Sequence, residues 1–204
     1  MKIMGLSKTL HWLSWYTKWM IMSVVSYTVV TLFLCIPIIG ETAIFSRSNF
    51  FLIWIFFVFF CSSVITFCFL ICVLFQKAPS NDGIGVILFF ATYIPYYVYG
   101  TRFAQLAYSA KWLICLPLNS SLGIAISMAL NAEVNLRGIT FANFFKHMEG
   151  FQFSFGEVLI CLIISSMIHI LITIYIELVF PGDVGVPKPW YFPIQSCINL
   201  IRKN

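Results

Sequence analysis

Charged residues are scarce in this chain. Asp, Glu, Lys and Arg together make up 9% of its 204 residues, whereas soluble domains carry about a quarter. Hydrophobic residues account for 61% of the sequence, and the mean hydropathy is +0.95. This composition excludes an ordinary soluble domain and indicates a polytopic membrane protein.

Motifs for nucleotide chemistry and for catalysis are also missing. The sequence contains no G-x-x-x-x-G-K-[ST] phosphate-binding loop, and no cluster of histidines and carboxylates has the spacing of a metal or acid–base site. Cys68 and Cys72 share a helical face, but no second Cys/His pair accompanies them. We therefore predict no enzymatic activity, no metal and no cofactor on this polypeptide, and no disulfide framework.

The net charge of +5 does not indicate a nucleic-acid partner. Lys and Arg occur singly between apolar runs, which is the pattern of residues that orient membrane spans. We predict contact with membrane lipid and no binding to nucleic acid.

Four apolar runs are long enough to cross a bilayer, which takes about 20 residues. They cover roughly residues 19–39, 50–75, 83–99 and 155–179. Pro95 lies inside the third run and predicts a kink there. The predicted fold class is an all-α polytopic membrane protein with four transmembrane helices, and residues 1–16 form an amphipathic stretch before the first span.

A fifth apolar segment, residues 112–130, leaves the topology open. Pro117, Asn119 and Gly123 interrupt it. If it crosses the membrane, the two termini lie on opposite sides; if it does not, both lie on the cytoplasmic side. Its short length and internal proline favour a re-entrant hairpin on the extracytoplasmic side.

Polar residues recur at every fourth position of the last span. They are Glu157, Cys161, Ser165, His169, Thr173 and Glu177. This spacing places them on one helical face, which we expect to avoid lipid. Ser165, His169 and Thr173 form a possible pathway face. Alternatively, His169 is hydrogen-bonded to Ser165 or Thr173 and joins helices.

Prolines dominate the segment that follows the last span. It reads YIELVFPGDVGVPKPWYFP from Tyr175 to Pro193. The last span reaches the membrane surface at Glu177. Proline fixes φ and removes a backbone donor, so the chain beyond that point is predicted to be a rigid, non-helical exit strap. Gly182 and Gly185 allow turns within it, and the aromatic residues from Trp190 to Phe192 form an anchor.

This strap resembles the join between a transmembrane half and its ATP-binding domain in subfamily A of the ATP-binding cassette transporters, which are lipid exporters. Other segments resemble the family in the same order, in particular its lung-surfactant-type members. They are MKIMGLSKTLHWLSWY (1–16), IFSRS (44–48), QKAPSNDGIGVILFFATYIPYY (76–97) and NFFKHMEGFQFSFGEV (143–158). The chain departs from the family at Val184, where an aromatic residue is usual.

The resemblance implies that residues 1–204 form part of an ABC-2 type transmembrane domain. Residues 1–16 would be the remnant of a cytoplasmic coupling helix, with Met1, Met4, Gly5 and Leu6 near the ATPase. Residues 180–204 would lead toward an ATP-binding domain that follows Asn204. The strap residues concerned are Glu177, Pro181, Gly182, Gly185, Pro187, Pro189, Trp190 and Tyr191.

By the same resemblance, the partners are ATP-binding domains, which would bind ATP and Mg²⁺, and a second transmembrane half. The expected function is the membrane-spanning part of an ATP-driven phospholipid or sterol transporter, in the plasma membrane or an endolysosomal-type membrane. The alternative is a stand-alone, truncated four-span protein with an interaction or scaffolding role. In that case residues 1–13 would lie on the lipid surface, with Lys2 and Lys8 at the headgroups.

Overall fold

The computed structural model describes residues 8–37, 43–75 and 81–180, together with Pro189 and Tyr191. Every regular element in these residues is helical, which confirms the predicted all-α class. The helices are α1 (Lys8–Cys35), α2 (Phe50–Leu74), α3 (Asn81–Ala91), α4 (Ile94–Tyr99), a 3₁₀ helix (Gly100–Gln105), α5 (Tyr108–Cys115), α6 (Leu118–Val134) and α7 (Phe155–Val179).

Four helical stretches in the described residues are long and apolar enough to cross a membrane. They are Leu10–Cys35, Phe50–Leu74, Gly83–Gln105 and Phe155–Val179. The four predicted spans are therefore confirmed, with one difference in the first. Helix α1 runs without a break from Lys8, so the described part of the amphipathic stretch continues directly into the span.

Helices α1 and α2 form an antiparallel pair joined by polar side chains. Near the start of α1, the Tyr16 hydroxyl lies 2.8 Å from the Ser62 hydroxyl. Further along α1 and further back along α2, Trp54 Nε1 donates to Thr28 Oγ1 at 2.9 Å. These bonds satisfy polar groups that would be costly in lipid.

Helix α7 packs in parallel along α2, which is the central helix of the bundle. The rings of Phe56 and Phe155 lie 5.2 Å apart near the start of both helices. Thr66 and His169 meet further along both. Each helix start is fixed by a cap: Asn49 Oδ1 accepts from Phe51 N, and Ser154 forms a reciprocal capping box with Glu157.

The third span is broken, as Pro95 predicts. Helix α3 ends at Ala91 and α4 begins at Ile94, with Pro95 in its first turn. Because proline has no N–H, a carbonyl in the preceding turn loses its usual helical donor. Asn119 of α6 binds beside this break: its Nδ2 donates to Phe89 O at 2.7 Å and to Thr92 Oγ1 at 2.9 Å.

Helices α5 and α6 form the re-entrant hairpin that the sequence left open. They are bent by 115° at their junction. The start of the hairpin is held by a hydrogen bond from Tyr108 to Glu157, at the beginning of α7. Its end is held by Glu133, which accepts from Ser48 N, just before α2, at 2.7 Å. The hairpin therefore enters and leaves at one end of the bundle.

That end, where α2 and α7 begin, is called the hairpin end below. The opposite end, where α1 begins and α7 finishes, is called the terminal end. The hairpin packs on the third span at Gly123, where an added Cβ would lie 2.7 Å from Cγ of Tyr96. Lys8, where α1 begins, and Val179, where α7 ends, both lie at the terminal end. An even number of spans therefore separates them, as the four-span topology requires.

Candidate functional site

The polar face of α7 lies against α2. Ser165 is 2% exposed and Thr173 is 7% exposed. His169 Nδ1 lies 3.4 Å from Thr66 Oγ1, and its ring contacts Phe67 with 5.5 Å between centroids. Ser165 and Thr173 are thus buried on the same face of α7, and His169 between them contacts Thr66 and Phe67 of α2.

The hydrogen-bond partner of the His169 side chain differs from either expectation. The sequence suggested Ser165 or Thr173, but the ring pairs with Thr66 of α2, and Thr173 Oγ1 donates to the backbone carbonyl of His169 at 2.7 Å. The Thr173 hydroxyl, one turn away on α7, already donates to the backbone, as Thr hydroxyls in helices commonly do. These contacts support the structural interpretation of His169, while a pathway role for this face stays a prediction.

Three polar residues lie close together in the middle of α2, and one of them meets the polar face of α7. Ser62 binds Tyr16 of α1, Thr66 meets His169 of α7, and the Ser63 hydroxyl is buried without a partner among the described residues. The signal for them was present in the sequence, because Ser62, Ser63 and Thr66 interrupt an otherwise apolar run. Polar residues inside a span are expected to face other helices.

At the terminal end, a hydrogen bond joins the two segments that the resemblance assigned to coupling. Trp12 Nε1 donates to Glu177 Oε2 at 3.0 Å across 165 residues of sequence. The Trp12 ring also packs on Phe69 of α2, with 4.8 Å between ring centroids. The start of α1 and the end of α7 are therefore connected directly.

Most of the other predicted coupling and strap residues lie outside the described part of the chain. They are Met1, Met4, Gly5, Leu6, Pro181, Gly182, Gly185, Pro187 and Trp190. Pro189 and Tyr191 are described, and both are exposed.

An apolar groove of about 470 Å³ lies between α2 and α3. It opens on the side of the bundle, and its lining includes Phe67, Ile71, Gly85 and Phe89. An added Cβ at Gly85 would lie 3.2 Å from Ile71 Cγ2, so a larger residue would narrow the groove. The apolar lining and lateral opening suit hydrocarbon rather than a polar ligand.

Two cysteines on α2, Cys68 and Cys72, also line this groove and are exposed. By contrast, Cys61, Cys115 and Cys161 are buried, as cysteines inside apolar runs commonly are. No group of three or more potential metal ligands occurs in the part of the chain that the structure describes.

Comparison with known proteins finds relatives that align with nearly the whole chain. It is 34% identical over 196 residues to phospholipid-transporting ATPase ABCA3 of Homo sapiens, covering 96% of this chain and 12% of that protein. It is 34% identical to ATP-binding cassette sub-family A member 17 of Rattus norvegicus, covering 100% and 11% respectively. It is 30% identical to sub-family A member 2 of Homo sapiens, covering 98% and 8%. No family model matches the chain.

Proposed function

Because the chain corresponds over nearly all of its length to one segment of subfamily A ATP-binding cassette transporters, we propose that it is a membrane-spanning part of an ATP-driven lipid transporter. The observation that carries the proposal is the similarity to a protein named as a phospholipid-transporting ATPase. The chain spans about a tenth of the length of these relatives, between 8% and 12%. Hydrolysis of ATP is therefore assigned to domains outside this chain.

The groove between α2 and α3 supports a role in moving lipid. A lipid sliding along the bundle needs an apolar surface that is open to the bilayer, and this groove is both apolar and lateral. We assign acyl-chain contact to the groove and treat Gly85 as the residue that keeps it open. Phospholipid and sterol are both compatible with such a surface.

The contact at the terminal end supports a role in coupling. Closure of ATP-binding domains on the cytoplasmic side would push on residues 1–13 and on the exit strap. The bond from Trp12 to Glu177 joins α1 to α7 beside these two segments, so a push on either would tilt both spans together. Coupling would then be a rigid-body movement of helices rather than a chemical step in this chain.

The partners in this proposal are ATP-binding domains that carry ATP and Mg²⁺, and a second transmembrane half. With the terminal end on the cytoplasmic side, the hairpin end faces the exterior or an organelle lumen. The membrane is the plasma membrane or an endolysosomal-type membrane.

Immunopurification tests whether an ATPase accompanies the chain. An antibody to residues 188–204 would be used on native membranes, followed by blotting and ATPase assay of the eluate. The proposal predicts a band far larger than 23.4 kDa, or a separate ATPase in the eluate, with lipid-stimulated hydrolysis of ATP. A band at 23.4 kDa alone, with no ATPase activity, would refute the proposal and favour the scaffolding alternative.

A further inference from the structure

A second cavity, of about 460 Å³, lies at the hairpin end between the start of α5 and the loop before α7. We call it the hairpin cleft; its lining includes Tyr108, Lys111, His147, Met148, Glu149 and Gln152. Its size falls in the range of about 300–1,000 Å³ typical of small-ligand sites. Unlike the groove between α2 and α3, it presents charged and aromatic polar side chains.

Lys111 is a buried cation at this cleft with no carboxylate partner in the described part of the chain. Its residue is 2% exposed. The ammonium donates to Phe151 O at 2.9 Å, and it lies 3.3 Å from Ala104 O and 3.4 Å from Gln152 O. The Phe103 ring lies 5.6 Å from Nζ. Only dipoles and a ring face therefore offset this charge.

Two of the three contacts of the Lys111 ammonium are long. Good N–H···O bonds measure about 2.7–3.2 Å, so the carbonyls of Ala104 and Gln152 bind weakly and can be exchanged for a stronger acceptor. An anionic oxygen is such an acceptor, because charge-assisted bonds are about twice as strong as neutral ones. The floor of the cleft therefore favours an anion.

The rim of the cleft includes one acidic side chain, that of Glu149. Glu149 lies 3.0 Å from Arg137, and both side chains are mostly exposed. One Glu149 oxygen takes part in that pair, and the carboxylate retains further acceptor capacity. His147 lies beside it and approaches Glu157 at 3.7 Å. An anion at Lys111 and a cation at Glu149 together form the charge pattern of a zwitterion.

The position of the cleft indicates where such a zwitterion would come from. Helix α7 has 25 residues and is about 37 Å long, longer than the hydrocarbon layer of about 30 Å. Its first turn, in which Glu157 contacts the cleft residues Tyr108 and His147, therefore reaches the headgroup layer. Tyr108 and Trp112, on α5, are residue types that concentrate at this level.

We propose that the hairpin cleft binds the headgroup of a zwitterionic phospholipid, with the phosphate toward Lys111 and the ammonium toward Glu149. The proposal rests on the lipid function proposed above and adds a site at which a lipid is held at the hairpin end. Lys111 provides the affinity for phosphate, and Glu149 provides the preference for headgroups that carry an ammonium.

Native mass spectrometry of the purified full chain in a nonionic detergent tests the site without ATP. Phosphatidylcholine is expected to bind, diacylglycerol is not, and glycerophosphocholine is expected to compete with the lipid. Inorganic phosphate at the same concentration is expected to compete more weakly than glycerophosphocholine, because it lacks the ammonium that Glu149 binds. Competition by inorganic phosphate alone would assign the cleft to free phosphate, and equal binding of diacylglycerol would show that the headgroup is not recognised. Either result would overturn the proposal.

Two variants separate the roles of the charged residues. Lys111→Met is expected to weaken phosphatidylcholine binding about tenfold, the value of one charge-assisted contact, while Lys146→Met, at an exposed lysine outside the cleft, leaves it unchanged. Glu149→Gln is expected to reduce an approximately threefold preference for phosphatidylcholine over phosphatidylglycerol to about one. Because Glu149 is exposed, this variant tests the site even where Lys111→Met does not fold.

Unchanged binding by folded Lys111→Met, or an unchanged lipid preference in Glu149→Gln, would contradict the assignment. Both readouts measure equilibrium binding, so they are independent of ATP-driven transport. In the unsubstituted protein, absence of ATP-driven transport with intact lipid binding would refute the proposed function alone, and absence of phosphatidylcholine binding with intact transport would refute this site alone.

Discussion

At the hairpin end, charged side chains and backbone groups hold the described segments together, whereas at the terminal end α1 and α7 are joined by the bond from Trp12 to Glu177. The carboxylate of Glu133 accepts from the backbone amides of Arg47 and Ser48. Ser48 Oγ in turn accepts from Ile139 N at 2.9 Å. Several such bonds must break together before the hairpin end can open.

This difference between the two ends indicates how a force would be distributed through the bundle. Hydrogen bonds to charged groups contribute about 1.5–3 kcal/mol each, and neutral ones about 0.5–1.5 kcal/mol. A hairpin end held by several bonds can serve as the fixed point. The described terminal end can then tilt about it when the segments beside Trp12 and Glu177 are pushed. The predictions below weaken one end at a time.

The largest expected effect comes from Gly138→Ala at the hairpin end. Gly138 has φ +60°, and an added Cβ would lie 2.4 Å from the carbonyl oxygen of Arg47. The left-handed conformation costs an alanine about 1 kcal/mol. The added methyl group would also clash with the backbone of Arg47, and this clash cannot be relieved by rotating a side chain. We expect a loss of about 2–4 kcal/mol in unfolding free energy, measured by thermal or denaturant unfolding in detergent.

Gly150→Ala is the matched control for this substitution. Gly150 also has a left-handed φ, +86°, but an added Cβ would meet nothing within 4 Å. It should show the conformational strain alone, about 1 kcal/mol. Equal losses for the two variants would mean that the contact of Gly138 with Arg47 does not stabilise the hairpin end.

A smaller loss is expected for Glu133→Gln. The amide keeps one acceptor oxygen but places an NH₂ group opposite backbone donors, which removes part of the charge-assisted bonding to residues 47 and 48. We expect a loss of about 1–2 kcal/mol for this half-buried group. Hydrogen exchange at the amides of Arg47 and Ser48 should also accelerate.

Glu149→Gln is the control, because its pair with Arg137 is exposed and such pairs contribute about 0–1 kcal/mol. If both glutamine variants unfold at the same denaturant concentration, the bonds of Glu133 do not hold the hairpin end in the way argued above.

The smallest effect on stability is expected for Trp12→Phe at the terminal end. Phenylalanine retains a ring against Phe69 but lacks the Nε1–H that donates to Glu177. Because this bond to a carboxylate is only partly buried and water can replace part of it, we expect a loss of about 0.5–1.5 kcal/mol, together with less lipid moved per ATP hydrolysed. Trp15→Phe, at an exposed tryptophan on the same helix, should change neither quantity. If Trp12→Phe leaves the amount of lipid moved per ATP hydrolysed unchanged, this bond does not transmit force between the helices.

Much of the architecture could be predicted from the sequence, because span length and helix breakers act locally. The four apolar runs, the break at Pro95 and the turn at Pro117 depend on neighbouring residues alone. The polar band of α7 was also visible, since its spacing follows from the helical repeat. These features appear in the structure close to where they were expected.

The partners of the polar groups could not be predicted in the same way. The Trp12 bond to Glu177 spans 165 residues, and the carbonyls around Lys111 come from Ala104, Phe151 and Gln152. Such pairs depend on the relative rotation and register of packed helices, which a repeat along one helix does not determine. The exposure of Cys68 and Cys72 likewise depends on how far α3 stands from α2.

Lipid transfer by the reconstituted protein tests the central claim most directly. Protein isolated through the antibody to residues 188–204 would be placed in vesicles with fluorescent phosphatidylcholine, and movement between leaflets would be followed with ATP, with a non-hydrolysable analogue and without nucleotide. The account predicts that only ATP accelerates the movement. Equal rates in all three conditions, in a preparation that hydrolyses ATP, would contradict it.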